Sequence, residues 1–250
     1  MRPSLLIVGY GVVGKNLHKI FPWADIHDPA WGSFNYNKHD IALICVPTPM
    51  LSNGSCDTNY VKEAVKQTDA RTIIIKSTIP PGTTESLVSE LLKAIVFSPE
   101  FEGNTLSSKV PFNFFILGGN REWCEDAAEI IKYATTAECR IYFTTSTTAE
   151  LCKYMENSFL AMKVTFCNEF ARLAARLGVN YSDLREAWLL DPRIGRSHTY
   201  VFADTPYYES KCLDKDIPAI ISYANKVGID MKLMKSVVST NKEFIKKCNA

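Results

Sequence analysis

Short apolar runs alternate with polar, helix-compatible stretches over residues 1–145. The runs are Leu5–Val8, Ala24–His27, Ile41–Val46, Thr72–Lys76, Ile95–Phe97, Asn113–Leu117 and Arg140–Phe143. Each is brief and nearly continuous, the mark of a strand buried on both faces. Strands of this kind separated by helices predict a doubly wound α/β domain, a parallel sheet with helices on either side.

The pattern changes at Thr144-Thr145-Ser146-Thr147-Thr148. Thr147 and Glu150 have the spacing of a capping box. Beyond them Met155, Phe159, Met162, Phe166, Phe170, Leu173 and Leu177 recur at steps of three and four, and Gly178 ends the series. This predicts one helix, about 45 Å long at 1.5 Å per residue. A helix that long is expected to be the spine of a second, all-helical domain and a dimer contact. The division is therefore 1–145 and 146–250. Further helices are expected over Ser182–Leu190 and after Asp216 and Asp230, with an irregular stretch from Asp191 to Lys211.

Hydrophobic residues make up 46% of the chain and charged residues 22%, an ordinary globular balance. A net charge of +1 gives no reason to expect a nucleic-acid partner. No apolar run approaches the ~18 residues of a membrane span, and the run after Met1 is too short for a signal peptide. The eight cysteines are scattered without CxxC pairs, which argues against a zinc cluster. Several sit inside apolar patterns, where a thiol behaves as a small hydrophobe. That usage fits a reducing compartment, so a cytoplasmic location is expected.

Gly9-Tyr10-Gly11-Val12-Val13-Gly14 is a GxGxxG motif directly after the first predicted strand and at the start of a helix. The first glycine permits a tight turn, the second lets backbone approach a pyrophosphate, and the third lets helix pack on strand. The helix N-terminus then offers N–H groups to phosphate. Asp28, at the end of the second strand, suits a ribose diol and would repel a 2′-phosphate, which favours NAD over NADP. Val46-Pro47-Thr48-Pro49 and Lys76-Ser77-Thr78-Ile79-Pro80-Pro81-Gly82-Thr83 follow the third and fourth runs. Both read as rigid loops at the strand ends where ligands bind, or as simple loop chemistry.

Lys153 and Asn157 share a face of the long helix and could together stabilise an oxyanion; a solvated polar face is the alternative. Cys212 stands in Ser210-Lys211-Cys212-Leu213-Asp214-Lys215-Asp216. Nearby lysines favour a thiolate, and Asp216 before Ile217-Pro218 reads as an N-cap, leaving Cys212 in a loop ahead of a helix. A nucleophile and a buried inert thiol both remain open.

Taken together these segments resemble the UDP-glucose/GDP-mannose dehydrogenases. The resemblance is carried by Gly9–Gly14, Val46–Pro49, Lys76–Thr83, Phe97-Ser98-Pro99-Glu100-Phe101, Ala149–Ala161, Phe166-Cys167-Asn168-Glu169, Asp191-Pro192-Arg193-Ile194-Gly195 and Cys212–Asp216, in the family's order. It implies a four-electron, NAD-dependent oxidation of the C6 alcohol of a nucleotide-sugar, UDP-glucose-like, to the uronate used in polysaccharide biosynthesis. By match, Cys212 would be the nucleophile and Lys153 and Asn157 the oxyanion holders. Thr78, Glu100 and Asp216 would position water or move protons. Gly9, Tyr10, Gly11, Val12, Val13, Gly14, Asp28, Val46, Pro47, Thr48, Thr78 and Lys215 would hold the cofactor, with no metal, and the long helix would form a homodimer.

Three departures from the family pattern stand out. Thr205-Pro206-Tyr207-Tyr208-Glu209-Ser210 replaces a glycine-rich stretch before the cysteine, and Asp214 replaces a proline after it. Glu102-Gly103-Asn104-Thr105 replaces a segment bearing a second carboxylate and an arginine. The chain ends at Ala250, so the family's third, UDP-binding domain is expected to be missing. These departures leave two other readings open, a non-catalytic NAD-binding regulator and a two-electron β-hydroxyacid-type dehydrogenase.

Overall fold

The structure is a computed structural model and describes residues 2–33, 35, 37–101, 114–135 and 139–248. Two compact units result: Met1–Leu51 with Cys56–Lys153, and Ser52–Ser55 with Tyr154–Ala250.

The first unit is a seven-stranded sheet in the order β2-β1-β3-β4-β5-β6-β7. Its strands are β1 (Leu5–Val8), β2 (Asp25–His27), β3 (His39–Ile44), β4 (Ala70–Ile75), β5 (Ile95–Phe97), β6 (Phe114–Gly118) and β7 (Arg140–Thr144). Every predicted strand is present, with ends displaced by a residue or two. Asn113, expected to open the sixth strand, lies outside the described residues, as does Glu102–Thr105. The helices α1 (Val12–Ile20), α2 (Asn59–Gln67), α3 (Thr83–Leu91) and α4 (Arg121–Ala134) pack on the sheet. One core, around Ile7, Leu43, Ile74 and Leu117, receives α1 and α4. The other, around Val8, Ile44, Ile75 and Phe97, receives α2 and α3. Strands buried from both sides need apolar residues at successive positions, which is why the runs are continuous.

The sheet departs from the all-parallel expectation in one place. β6 runs antiparallel to β5, while β6 and β7 are parallel to each other. A continuous apolar run reports burial and not strand direction, and an antiparallel neighbour needs no crossover helix. β2 and β3 flank β1 on opposite sides, so the chain order reverses there. Such a switch point opens a crevice beyond the carboxyl ends of β1 and β3.

The long helix, α5, spans Ser146–Arg176 and ends near Gly178, whose φ is +69°, with Val179 N–H bonded to the Ala174 carbonyl at 2.8 Å. Its first turns pack with the sheet and the remainder belongs to the second unit. The expected capping box is not made. Thr148 N–H bonds to Thr145 Oγ1 at 3.2 Å, so the cap lies two residues earlier, and Glu150 turns away to other partners. Apart from Met162, which packs on the core of the second unit, the apolar stripe is also not the buried face. Met155 is 75% exposed, and Phe159, Phe166, Phe170, Leu173 and Leu177 are exposed too. Among the buried positions of the second unit's part of α5 are Tyr154, Asn157, Ala161, Thr165, Cys167 and Asn168. Small and polar residues carry little weight in a hydrophobic periodicity, so the apolar stripe marked the opposite side.

The second unit adds α6 (Tyr181–Trp188), α7 (Leu213–Lys226) and α8 (Lys232–Cys248). α6 starts one residue earlier than expected and stops two residues sooner. α7 begins at Leu213, ahead of Asp216, so Asp216 is not the N-cap and Pro218 lies inside the helix. The physical reason is a reciprocal cap one turn upstream. Ser210 Oγ accepts from Leu213 N–H at 2.9 Å, and Asp214 accepts from Ser210 N–H at 2.8 Å. The core here joins Ala161, Tyr208, Leu213, Ile217, Met234 and Val237.

Buried Asn241 of α8 holds the backbone of Tyr208 from both sides, accepting from its N–H at 2.9 Å and donating to its carbonyl at 2.8 Å. Truncation orphans two buried backbone groups, each costing roughly 1–3 kcal/mol. Asn241→Ala should therefore lower the denaturation midpoint of the helical unit in urea, while the far milder Lys242→Ala serves as control.

Candidate active site

At the carboxyl end of β1 the backbone turns at Gly9, whose φ is +93°. A Cβ there would lie 2.8 Å from the Cys45 carbonyl oxygen, and one on Gly14 would lie 2.1 Å from the Gly9 oxygen. A Cβ on Gly11, by contrast, would meet nothing within 4 Å. The first and third glycines are thus required by the protein's own packing, and the second leaves open space. Gly11 is the N-cap of α1 and supplies no side-chain cap, so the helix's leading N–H groups face that space.

Asp28 follows β2. Its carboxylate accepts from Tyr10 N–H at 2.5 Å and from Ala30 N–H at 2.9 Å, which ties the glycine turn to the end of the second strand. A cavity of about 370 Å³ opens beside it, lined by Gly9, Asp28, Pro29, Val46, Pro47 and Tyr60 among others. Apolar walls and an acid at one end fit a nucleoside with a free diol. Of the predicted cofactor residues, Gly9, Asp28, Val46 and Pro47 line this cavity; Thr48 is buried in the same loop.

Beyond β4 and β5 lies a second cluster in the same unit. Buried Lys76 donates to Ser98 Oγ and to the Pro99 carbonyl, both at 3.3 Å, and pairs with Glu100 Oε2 at 3.3 Å. Thr78 is half-buried and its carbonyl accepts from Cys56 Sγ at 3.7 Å. Lys153 on α5 is buried, with its ammonium 5.3 Å from the Phe101 ring centroid, next to Glu100 in sequence. Sequence reasoning passed over Lys76 as loop chemistry. The available signal was a lone cation closing an otherwise apolar buried strand, where an unpaired charge is untenable.

Glu150 was also assigned the wrong task. Fully buried, it accepts from Gly82 N–H at 2.6 Å, Thr84 N–H at 2.8 Å and Thr84 Oγ1 at 2.6 Å. Burial raises its pKa from 4.5 to about 7 against the pull of these bonds.

In the second unit the structure brings three predicted residues together. Asn157 Nδ2 donates to Asp216 Oδ2 at 2.6 Å, and Lys215 Nζ pairs with Asp216 Oδ1 at 2.5 Å. Asp216 is 2% exposed, and its N–H bonds to the Cys212 carbonyl at 2.9 Å. Cys212 itself is exposed at the N-cap position of α7, one turn before Asp216. Its loop is fixed by the Ser210–Asp214 cap in place of glycines and proline. Lys215, expected at the cofactor, lies in this cluster. All eight cysteines are free thiols, and no group of residues suited to a metal ion occurs among the described residues. Nor is any described helix long and apolar enough to cross a membrane.

A doubly wound sheet with a glycine turn, a helix start without a side-chain cap and an acid at the end of the second strand is the arrangement of a dinucleotide-binding domain. Two models of one family match the chain: the UDP-glucose/GDP-mannose dehydrogenase family NAD binding domain over residues 32–136, and the central domain of the same family over 147–243. The chain belongs to the UDP-glucose/GDP-mannose dehydrogenase family, and NAD is its cofactor. It is 35% identical over 225 residues to UDP-glucose 6-dehydrogenase of Rickettsia typhi, covering 84% of this chain and 51% of that protein. It is 38% identical over 168 residues to UDP-N-acetyl-D-mannosamine dehydrogenase of Methanococcus maripaludis, covering 62% and 39%. Among solved structures, a UDP-glucose dehydrogenase from the archaeon Pyrobaculum islandicum superposes with a TM-score of 0.81 at 25% identity, over 97% of this chain and 68% of that one. The chain spans about half the length of the curated relatives it matches.

Two outcomes follow. Gly9→Ala should weaken NAD binding about tenfold or more in calorimetry, because the side chain cannot enter without moving the Cys45 backbone. Glu150 binds its proton more tightly folded than unfolded. Its contribution to stability is therefore complete below about pH 4.5 and is lost as pH rises through about 7. Melting curves of wild type and Glu150→Gln across pH 4–8 should show that slope only in the wild type.

Proposed function

We propose that the protein oxidises the C6 primary alcohol of a nucleotide-sugar, UDP-glucose-like, to the uronate, with Cys212 as the covalent nucleophile. The observation that carries this reading is the grouping of Asn157, Lys215 and buried Asp216 at the first turns of a helix headed by an exposed cysteine. A structural cysteine would have no use for that polar setting.

NAD, bound at the Gly9–Gly14 turn and Asp28, supplies the hydride acceptor for each of two oxidations. The first takes the alcohol to the aldehyde. The Cys212 sulfur then adds to the aldehyde carbon, forming a C–S bond and a thiohemiacetal whose oxygen Lys153 and Asn157 stabilise. Loss of a second hydride from that carbon gives a thioester. Water adds, the C–S bond breaks, and the carboxylate leaves with the thiol restored. Thr78, Glu100 and Asp216 position that water and move protons, with Lys76 holding the Glu100 carboxylate.

The exposed stripe from Met155 to Leu177 supports a homodimer through α5, since a run of large apolar side chains on one helix face is poorly tolerated in water. The functional division at 145/146 differs from the compact units because Ala149 of α5 packs in the sheet's core and Glu150 bonds to the start of α3. Free thiols throughout support a cytoplasmic location.

The deciding assay follows NADH formation with UDP-glucose, UDP-N-acetylmannosamine and GDP-mannose. Cys212→Ala should abolish uronate formation. Turnover indifferent to Cys212→Ser would favour two-electron hydroxyacid chemistry, and NAD binding without turnover on any sugar would favour a regulator. Separately, Phe159→Glu with Leu173→Glu should convert the dimer to monomer in light scattering; an unchanged mass would remove α5 from the interface.

A further inference from the structure

We propose that Glu150 is a positioning residue that sets the loop bearing Thr78 against the helix bearing Lys153. This rests on the dehydrogenase reading for the importance of those two side chains, but the tie itself stands on geometry alone.

α3 has no side-chain cap of its own. Its N-cap is Gly82, held at φ +85°, which contributes no oxygen. The leading N–H groups are served instead by a carboxylate from α5, far along the chain. Glu150 Oε2 takes the Gly82 N–H and Oε1 takes the Thr84 N–H and hydroxyl. A buried carboxylate is costly unless its oxygens are bonded, and the N-terminus of a helix is where it is best tolerated. A local serine or aspartate at the N-cap would finish the helix with far less burial. The structure uses a remote, fully buried acid, which caps α3 and also anchors the loop.

What the tie connects is specific. From Gly82 back to Thr78 the chain runs through Pro81, Pro80 and buried Ile79. Two prolines fix φ and Ile79 is buried, so the segment has little freedom to absorb a shift at Gly82 before it reaches Thr78. On the other side, Lys153 follows Glu150 by less than one turn of α5. A second pair of bonds joins the same two helix starts: Ser146 Oγ and Thr147 Oγ1 donate to Glu85 Oε1 at 3.0 and 3.2 Å. Glu150 thus stands between the two segments that the mechanism requires in register.

Glu150→Gln is the informative change, because an amide has one acceptor oxygen and must present an N–H to one of the two backbone donors. Backbone hydrogen exchange in the full chain reads the tie directly. Gly82 and Thr84 amides should be protected in wild type and lose about tenfold or more in Glu150→Gln, with the loss reaching the 77–79 segment while β1 and β3 keep theirs. In the NADH assay the same variant should lose about tenfold or more in kcat, with KM for the sugar and the NAD affinity unchanged, as expected of displaced catalytic groups. Thr84→Val, which removes one hydroxyl and leaves both backbone donors served, should retain most of kcat. Unchanged protection at Gly82 and Thr84 would overturn the proposal, and so would lost protection with full kcat or a loss spread evenly over the sheet. A wild type inactive on every sugar would instead fail the dehydrogenase reading, and the exchange pattern would still decide the tie.

Discussion

Backbone crowding at the carboxyl end of β1 governs the architecture of the first unit. Three passages of main chain meet there: the turn at Gly9, the exit of β3 at Cys45 and Val46, and the start of α1 at Gly14. No side chain fits between them. Because the passages are that close, Tyr10 N–H can reach the Asp28 carboxylate and α1 can begin directly over the strand. The crevice at the sheet's switch point is therefore a product of close packing, and the open volume over Gly11 is what that packing leaves for a ligand.

Charge burial is the second organising theme. Lys76, Glu100, Glu150, Lys153 and Asp216 are all buried. Isolated, each would be prohibitive; Lys76, Glu100, Glu150 and Asp216 are instead met by opposite charges or hydrogen-bond donors, and the Lys153 ammonium faces the Phe101 ring. Such groups cluster where chemistry is done, because a fixed dipole or charge in a dry setting acts more strongly than one in water. Buried ions gather at the ends of β4, α5 and α7 and at Arg185 of α6, against mostly apolar burial in the strands.

The strands were legible because each is a short apolar run between polar breaks, and continuous burial writes itself into consecutive residues. The direction of β6 was not legible, since apolar character carries no arrow. The length of α5 could be read from its stripe, but the stripe's meaning could not. Phe159 and Leu173 look like core to a periodicity argument, yet Ala161 and Asn168 occupy the buried side. Asp216 looked like an N-cap because it precedes proline. The bonds that fix the helix start, from Leu213 N–H to Ser210 and from Ser210 N–H to Asp214, need knowledge of which side chain folds back, and that depends on packing around Tyr208 and Asn241. Cys212 and Asn157 stood out as candidates from their sequence settings and Asp216 as an N-cap, and only the family resemblance gave the three a shared role; the hydrogen bonds among them were invisible to spacing alone.

Ser52–Ser55 is the one stretch that leaves the first unit and returns to it, between β3 and α2. Gly54 there has φ +80°, and a Cβ on it would sit 3.6 Å from the Pro218 ring. The helical unit is consequently discontinuous in the gene: no single cut yields it whole. A fragment beginning at Tyr154 would lack these four residues, of which Gly54 comes close to Pro218 of the cysteine-bearing helix, and one ending at Lys153 would carry them without that helix. Severed halves of this polypeptide are thus poor stand-ins for its domains, and work on either one belongs in the intact molecule.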